Sequence, residues 1–197
     1  MCIRDRFGIE QYVEMALQYQ RLDSETTDFV FEETDLDEII RTSVRKYARQ
    51  FIAKKISMSY EPVETTVITD KKWLSFVIEQ VISNAVKYTK TGGIKIYLED
   101  GDGTMSVPVQ KASHRKEDDG ENSGMKSVRL VIEDTGIGIR AEDLPRICEM
   151  GYTGCNGHEG QHSSGIGLYL CSRILKKLGH TFSITSKEGV GTVVKIG

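Results

Sequence analysis

The chain has 197 residues, with 26 Lys and Arg against 29 Asp and Glu, a net charge of −3 and 39% hydrophobic residues. These values fit one globular domain with a short appendage. No stretch approaches the roughly 18 consecutive apolar residues of a membrane span, and no secretory signal opens the chain. No cluster of Lys and Arg supplies the basic face that nucleic-acid binding needs, so nucleic acid is not an expected partner.

The cysteines carry no metal-binding or redox pattern. Cys2, Cys148, Cys155 and Cys171 show neither CxxC spacing nor histidines at zinc-finger intervals. We interpret them as reduced thiols of a cytoplasmic protein.

The chain begins with a predicted amphipathic helix from Phe7 to Leu22. Its apolar residues recur close to helical spacing, and they are Ile9, Tyr12, Val13, Ala16, Leu17 and Tyr19. This face has to pack either on the domain that follows or on a helix of another chain. Residues 1–6 lack the pattern and any N-cap signal, so we expect the natural protein to continue upstream.

Hydrophobic periodicity and turn residues predict the remaining elements. The predicted strands are Phe29–Phe31, Ile56–Tyr60, Thr65–Thr69, Ile94–Leu98, Val128–Ile132, Thr181–Ser186 and Thr192–Ile196. The predicted helices are Asp35–Ile52, a long one from Asp70 to about Thr89, and Gly165–Leu178. Residues 101–126 are too polar to pack and are expected to form a flexible insert. The fold class that follows is α+β, with helices on one face of a mixed sheet.

The long helix carries a polar stripe of Gln80, Asn84 and Lys87, at positions i, i+4 and i+7. An amide oxygen at Asn84 is a hard ligand suited to Mg²⁺, and an ammonium at Lys87 suits phosphate. The alternative is a solvated helix face without a ligand.

A second motif, Asp134–Thr135–Gly136–Ile137–Gly138, follows a predicted strand. Its glycines allow close approach of a ligand to the backbone. The Asp134 carboxylate can accept a hydrogen bond from the exocyclic amine of adenine, whereas guanine presents an oxygen there and would be repelled. A turn that simply requires glycines is the alternative.

A third motif, Gly165–Ile166–Gly167–Leu168, opens the last helix and exposes backbone amides that favour an anion. The Gly-, His- and Ser-rich stretch before it, Met150 to Ser164, is of a kind that can close over a bound ligand. Contact of its His158 and His162 with phosphate is less expected than plain surface exposure. Gly189 to Thr192 is interpreted as a plain hairpin turn.

These three motifs, in this order, resemble the ATP-binding catalytic domain of sensor histidine kinases. The sequences are Ser83–Asn84–Ala85–Val86–Lys87–Tyr88, the Asp134 motif and the Gly165 motif, and the resemblance covers roughly Thr34 to Gly197. It implies the Bergerat fold, a two-layer α/β sandwich with a mixed, mostly antiparallel sheet. Within the group, the chain most resembles the small-sensor kinases associated with antimicrobial-peptide and cell-envelope stress, through Trp73–Phe76, Tyr152–Gly154 and Gly167–Leu170.

The resemblance also implies roles for matching residues. Asn84 would coordinate Mg²⁺ and Lys87 would contact phosphate. Tyr88 would line the ATP site. Asp134 would recognise the adenine of ATP. The pocket-shaping and phosphate-end positions would be Gly136, Gly138, Gly165, Gly167, Leu168 and, near the adenine, Thr192. Two residues depart from the family pattern. Gln80, an amide, cannot act as a general base, which argues against intrinsic ATP hydrolysis. His162 stands where Lys or Arg is common.

The family's acceptor histidine lies on a dimerisation helix and is followed by an acidic residue. None of His114, His158, His162 and His180 qualifies, so no catalytic acceptor is expected in this chain. Residues 1–24 resemble the end of the dimerisation region, and residues 25–197 resemble the catalytic domain with an ATP lid at 148–164. The implied partners are a second kinase subunit and a response regulator. The resemblance also implies that this domain is cytoplasmic and that membrane anchoring comes only from upstream segments.

Two other functions share the nucleotide motifs. One is an anti-sigma-type serine kinase, which the dimerisation-helix remnant disfavours. The other is an interaction module in which ATP changes partner docking without chemistry.

Overall fold

The computed structural model describes residues 13–22, 29–63, 65–100, 128–154 and 164–197. The predicted insert at 101–126, the first residues of the predicted N-terminal helix, and His114, His158 and His162 lie outside these ranges. The elements in chain order are α1 (residues 13–22), β1 (Glu32–Asp35), α2 (Leu36–Lys54), β2 (Ser57–Tyr60), β3 (Thr66–Thr69), α3 (Lys71–Tyr88), β4 (Gly93–Asp100), β5 (Val128–Asp134), a 3₁₀ turn (Leu144–Arg146), α4 (Gly167–Leu178), β6 (Phe182–Lys187) and β7 (Gly191–Ile196).

The main sheet has five strands in the order β2-β4-β5-β7-β6. Strands β2 and β4 pair in parallel, and the other three pairs are antiparallel. Alternate residues of β4 and β5, such as Ile94, Ile96 and Ile132, point into the same hydrophobic core as α2, α3 and α4. The predicted α+β sandwich, with a mostly antiparallel mixed sheet and helices on one face, is confirmed.

Side-chain caps define the helix ends that the sequence predicts. The Asp35 carboxylate accepts from the backbone N–H of Asp37 at 2.8 Å and begins α2. The Asp70 carboxylate accepts from the N–H of Trp73 at 3.1 Å and begins α3. Each such cap is worth about 1 kcal/mol, because it satisfies an amide that the helix leaves without a partner.

One predicted strand is wrong, and the last helix begins later than predicted. Phe29 to Phe31 do not form a strand; the strand begins at Glu32 and pairs antiparallel with β3 in a separate two-stranded sheet. The aromatic side chains pack instead, with the Phe29 ring 5.7 Å from that of Trp73. Helix α4 begins at Gly167, two residues after the predicted start, because Gly165 has φ +66° and cannot join the helix.

Helix α1 packs on the domain with a different face from the predicted stripe. Met15, Gln18 and Leu22 are buried, whereas Val13 and Leu17 are 54% and 48% exposed. The ammonium of Lys177 in α4 donates to the carbonyl of Leu22 at 2.9 Å, where the negative end of a helix dipole favours a cation. Within the described residues, no helix is long and apolar enough to span a bilayer.

Candidate nucleotide-binding site

The last two turns of α3 form one wall of the candidate site. Asn84, Lys87 and Tyr88 are half-buried, and the Lys87 ammonium lies 5.2 Å from the centre of the Tyr88 ring. Asn84 and Lys87 therefore lie neither in the core nor on a fully solvated face. Gln80, predicted to share their polar stripe, is instead buried with 7% exposure, and this part of the prediction is wrong.

Gln80 is buried because α4 begins directly against it. A Cβ added to Gly167 would lie 2.5 Å from the amide nitrogen of Gln80. Only glycine lets the α4 backbone approach this closely. The contact places the third sequence motif beside α3, one helical turn before Asn84.

The second sequence motif contacts the C-terminal end of α3. The N–H of Ile137 donates to the carbonyl of Tyr88 at 3.2 Å. A Cβ added to Gly136 would lie 2.8 Å from the Tyr88 carbonyl oxygen and 2.7 Å from Asp134 Oδ1. Both glycine motifs therefore contact the same helix, about 12 Å apart along its axis at 1.5 Å per residue.

Asp134, the last residue of β5, holds its carboxylate among backbone amides. Its Oδ1 accepts from the N–H of Gly136 at 2.8 Å. Burial raises the pKa of Asp134, while hydrogen bonds from the amides of Gly136 and Thr192 oppose that rise. A half-buried carboxylate with one oxygen already hydrogen-bonded is suited to accept a further hydrogen bond from a donor group of a ligand.

The β6–β7 hairpin packs against the loop that follows Asp134. Gly138 has φ +68°, and a Cβ there would lie 2.0 Å from the carbonyl oxygen of Lys187. The N–H of Gly189 donates to the carbonyl of Ile137 at 2.8 Å. Gly191 has φ +144°, and a Cβ on it would lie 1.9 Å from the Asp134 carbonyl oxygen. The hairpin predicted as a plain turn is thus one wall of the candidate site.

Thr192 sits opposite Asp134 in the register of β5 and β7. Its hydroxyl lies 2.9 Å from the hydroxyl of Ser186, which also accepts from the N–H of Ile139 at 2.9 Å. Sequence reasoning missed Ser186, because it lies in a strand with no motif around it. The structure thus brings Thr192 and Asp134 together through pairing that is remote in sequence.

Lys54 is a second residue that sequence reasoning missed. Its ammonium crosses from α2 and donates to the carbonyls of Val86, Lys87 and Thr89, the last two at 3.1 and 3.4 Å. A cation at this helix terminus is favourable, since the last carbonyls of α3 carry its partial negative charge. Lys54 thereby fixes the turn that carries Lys87 and Tyr88.

The remaining predicted residues lie at the start of α4. Gly165 accepts from the N–H of Gly151 at 3.1 Å through its carbonyl, and Leu168 is half-buried in the first turn of the helix. Among the described residues, no three His, Cys, Asp or Glu side chains gather closely enough to hold a metal ion. The half-buried Asn84 amide offers an oxygen of the kind that Mg²⁺ binds.

Comparison with known proteins agrees with this arrangement. The family model of histidine kinase-, DNA gyrase B- and HSP90-like ATPases matches residues 69–197. The sensor histidine kinase YxdK of Bacillus subtilis (strain 168) is 34% identical over 191 residues, which are 95% of this chain and 51% of YxdK. The sensor protein kinase GraS of Staphylococcus aureus (strain JH1) is 30% identical over 189 residues, which are 95% of this chain and 48% of GraS.

The fold matches a solved kinase structure as well. Full-length ShkA in complex with AMPPNP superposes with a TM-score of 0.68 over 93% of this chain and 34% of that chain, at 20% identity. The chain belongs to the family of histidine kinase-, DNA gyrase B- and HSP90-like ATPases. Because its relatives are sensor histidine kinases, it carries the ATP-binding catalytic domain of a histidine kinase, and the serine-kinase alternative is not favoured. The chain spans about half the length of the curated relatives it matches.

Proposed function

We propose that this chain binds Mg·ATP between its two glycine motifs and transfers the γ-phosphoryl group to a histidine on a dimerisation helix outside these residues. The observation that carries the proposal is the shared wall of α3, where Gln80 meets Gly167 and the Tyr88 carbonyl meets Gly136 and Ile137. An elongated ligand between the two motifs would pass Asn84 and Lys87. Phosphoryl transfer of this kind depends on positioning and charge stabilisation rather than on a covalent intermediate.

At the adenine end of the site, the Asp134 carboxylate would accept a hydrogen bond from the exocyclic amine of adenine. Gly136, Gly138 and Thr192 would shape the pocket, and Tyr88 would line it. The raised pKa of Asp134 supports this role, since a desolvated carboxylate gains more from a new hydrogen bond than a hydrated one does.

At the phosphate end, Gly165, Gly167 and Leu168 would present the first amides of α4, where the helix dipole favours an anion. Lys87 would add a cation. Asn84 would supply one oxygen ligand to Mg²⁺, and bound Mg²⁺ would neutralise phosphate charge. A single protein ligand fits this ion, which commonly keeps waters and phosphate oxygens around it.

The whole protein would act as a pair of subunits and pass its phosphoryl group to a response regulator. Residues 1–24 would form the end of the dimerisation region, and residues 25–197 would form the catalytic domain with a lid at 148–164. The exposed Val13 and Leu17 on α1 support this division, because they leave an apolar face for a second helix. The domain would lie in the cytoplasm, with any membrane anchor outside these residues.

Calorimetry with Mg·ATP tests the binding step. The wild-type chain is expected to bind, and Asp134→Asn is expected to weaken binding at least tenfold, because an amide cannot accept the adenine amine as well as a carboxylate does. Mg·GTP serves as the matched ligand and should bind weakly to both. Unchanged affinity in Asp134→Asn would contradict the proposed site.

The transfer step needs an acceptor in trans. A separately expressed dimerisation hairpin from a sensor kinase relative should gain acid-labile phosphate when mixed with this chain and Mg·ATP. Failure to phosphorylate it, with Mg·ATP binding intact, would favour the interaction module over the kinase.

A further inference from the structure

The segment between Arg140 and Tyr152 is a series of turns with a period of three residues. The N–H groups of Asp143, Arg146, Glu149 and Tyr152 each donate to the carbonyl three residues earlier, at 3.0, 2.9, 2.8 and 3.3 Å. Leu144–Arg146 forms a regular 3₁₀ turn within the segment, and Gly151 reverses the backbone with φ +77° just before Tyr152. The side chains of Asp143, Arg146, Glu149 and Tyr152 meet along it.

These side chains form a connected cluster around a buried carboxylate. Asp143 is 7% exposed and accepts a hydrogen bond from the hydroxyl of Tyr152. The Arg146 guanidinium lies 4.4 Å from the centre of the Tyr152 ring and donates to Glu149 at 3.1 Å. Tyr152 is thus held at its hydroxyl by Asp143 and on its ring face by Arg146, and we call this arrangement the Asp143–Tyr152 clasp.

The backbone that the clasp holds lies directly against the start of the Gly165 motif. The N–H of Gly151 donates to the carbonyl of Gly165 at 3.1 Å. A Cβ added to Gly165 would lie 2.4 Å from the carbonyl carbon of Gly151 and 2.6 Å from the nitrogen of Tyr152. A shift of Tyr152 would therefore move Gly165, two residues before α4 begins.

We propose that the Asp143–Tyr152 clasp positions Gly165 and the first amides of α4 for the phosphates of the nucleotide. The inference rests on the proposed Mg·ATP function. Tyr152 is a positioning residue, because it acts through the backbone of Gly151 and Gly165. The adenine end at Asp134 is built by β5, β7 and the end of α3, so it does not depend on the clasp.

The test compares a ligand with phosphates and a ligand without them. Tyr152→Phe removes one oxygen and keeps the ring for Arg146. It is expected to weaken Mg·ATP binding about tenfold, the loss typical of one hydrogen bond to a charged group. Adenosine affinity, measured by competition against Mg·ATP, is expected to stay within about twofold of wild type, within the error of such affinities.

The chain offers a matched control in a second Tyr–Asp pair. The Tyr60 hydroxyl donates to Asp37 at the start of α2, away from both glycine motifs in the fold. Tyr60→Phe makes the same chemical change and should leave both affinities unaltered. Asp143→Asn keeps an acceptor oxygen without the charge and should lose less affinity for Mg·ATP than Asp143→Ala, which should reproduce the loss.

Equal losses for Mg·ATP and adenosine, or no loss in Tyr152→Phe and Asp143→Ala, would overturn the inference. If Tyr152→Phe does not fold, the Asp143→Ala and Asp143→Asn pair carries the same comparison. A wild-type chain that binds Mg·ATP and weakens in Asp134→Asn, but not in Tyr152→Phe, would overturn the clasp and leave the proposed function standing. A wild-type chain that does not bind Mg·ATP would overturn both.

Discussion

The side chain of Gln80 in α3 lies against the backbone of Gly167 in α4, where a Cβ would approach the Gln80 amide nitrogen to 2.5 Å. The contact joins the helix that carries Asn84 to the helix whose first amides are proposed to bind phosphate. Since Gln80 is buried against Gly167, we expect its side chain to set the distance between α3 and α4.

Gly167→Ala is therefore expected to weaken Mg·ATP binding, because the added methyl group pushes α4 away from α3. Gln80→Ala in the same chain should restore much of the lost affinity, since it removes the atom that clashes. A double-mutant cycle on calorimetric Kd values should show coupling of about 1 kcal/mol. Additive effects of the two substitutions would mean that the contact does not set the helix spacing.

Gly138 and Gly189 form a natural pair for separating backbone strain from steric contact. Their φ angles are +68° and +74°, but a Cβ meets the Lys187 carbonyl at 2.0 Å only at Gly138, and nothing within 4 Å at Gly189. Gly189→Ala should lower the free energy of unfolding by about 1 kcal/mol, the cost of a left-handed alanine. Gly138→Ala should lower it by roughly 3 kcal/mol or more, because backbone must also move. Urea denaturation measures both, and equal losses would contradict the close packing of the Asp134 loop on the hairpin.

Lys54→Met is expected to loosen the end of α3. It removes the ammonium from the carbonyls of Val86, Lys87 and Thr89, and should cost about 1 to 2 kcal/mol in the free energy of unfolding. Mg·ATP affinity should fall as well, because Lys87 and Tyr88 lie on that turn. Lys54→Arg should keep most of both properties. Lys95→Met, at an exposed position of β4, is the control and should change neither.

His180 should make the fold sensitive to mild acid. Burial lowers the pKa of His180, partly opposed by a hydrogen bond with the backbone of Gly197, and its Nε2 lies 3.0 Å from the hydroxyl of Thr69. The unfolded chain then binds a proton more readily than the folded chain, so stability is present above about pH 6.5 and declines as pH falls below it. Urea denaturation at pH 7.5 and 5.5 should show this decline in wild type and a smaller one in His180→Gln. Identical declines in the two proteins would exclude His180 as the cause.

Most of the candidate site could be predicted from the sequence because its parts are short and local. The Asp134 motif places a carboxylate and two glycines within five residues, and the Gly165 motif stands at a helix start where anion binding is a general property. The starts of α2 and α3 near Asp35 and Asp70 could be predicted because capping is decided within one turn. The failures at Gln80 and at Phe29 to Phe31 have the opposite cause, since tertiary packing overrode local periodicity there.

Ser186, Lys54 and Gly191 could not be found from the sequence, because their partners are remote. Ser186 contacts Ile139 across 47 positions, and Lys54 contacts Val86 across 32. No local pattern distinguishes them from any other serine, lysine or hairpin glycine.

The sequence by itself determined the α+β class, the order of the motifs and the kinship with histidine kinases, because periodicity, capping and glycine spacing are written within short segments. Only the tertiary structure decided that α3 is the wall that both glycine motifs share, that Gln80 is buried beneath Gly167, and that Tyr152 and Asp143 hold the backbone beside Gly165. These relationships arise when helices and loops pack, since a contact between residues far apart in the chain is specified by the whole core rather than by either segment.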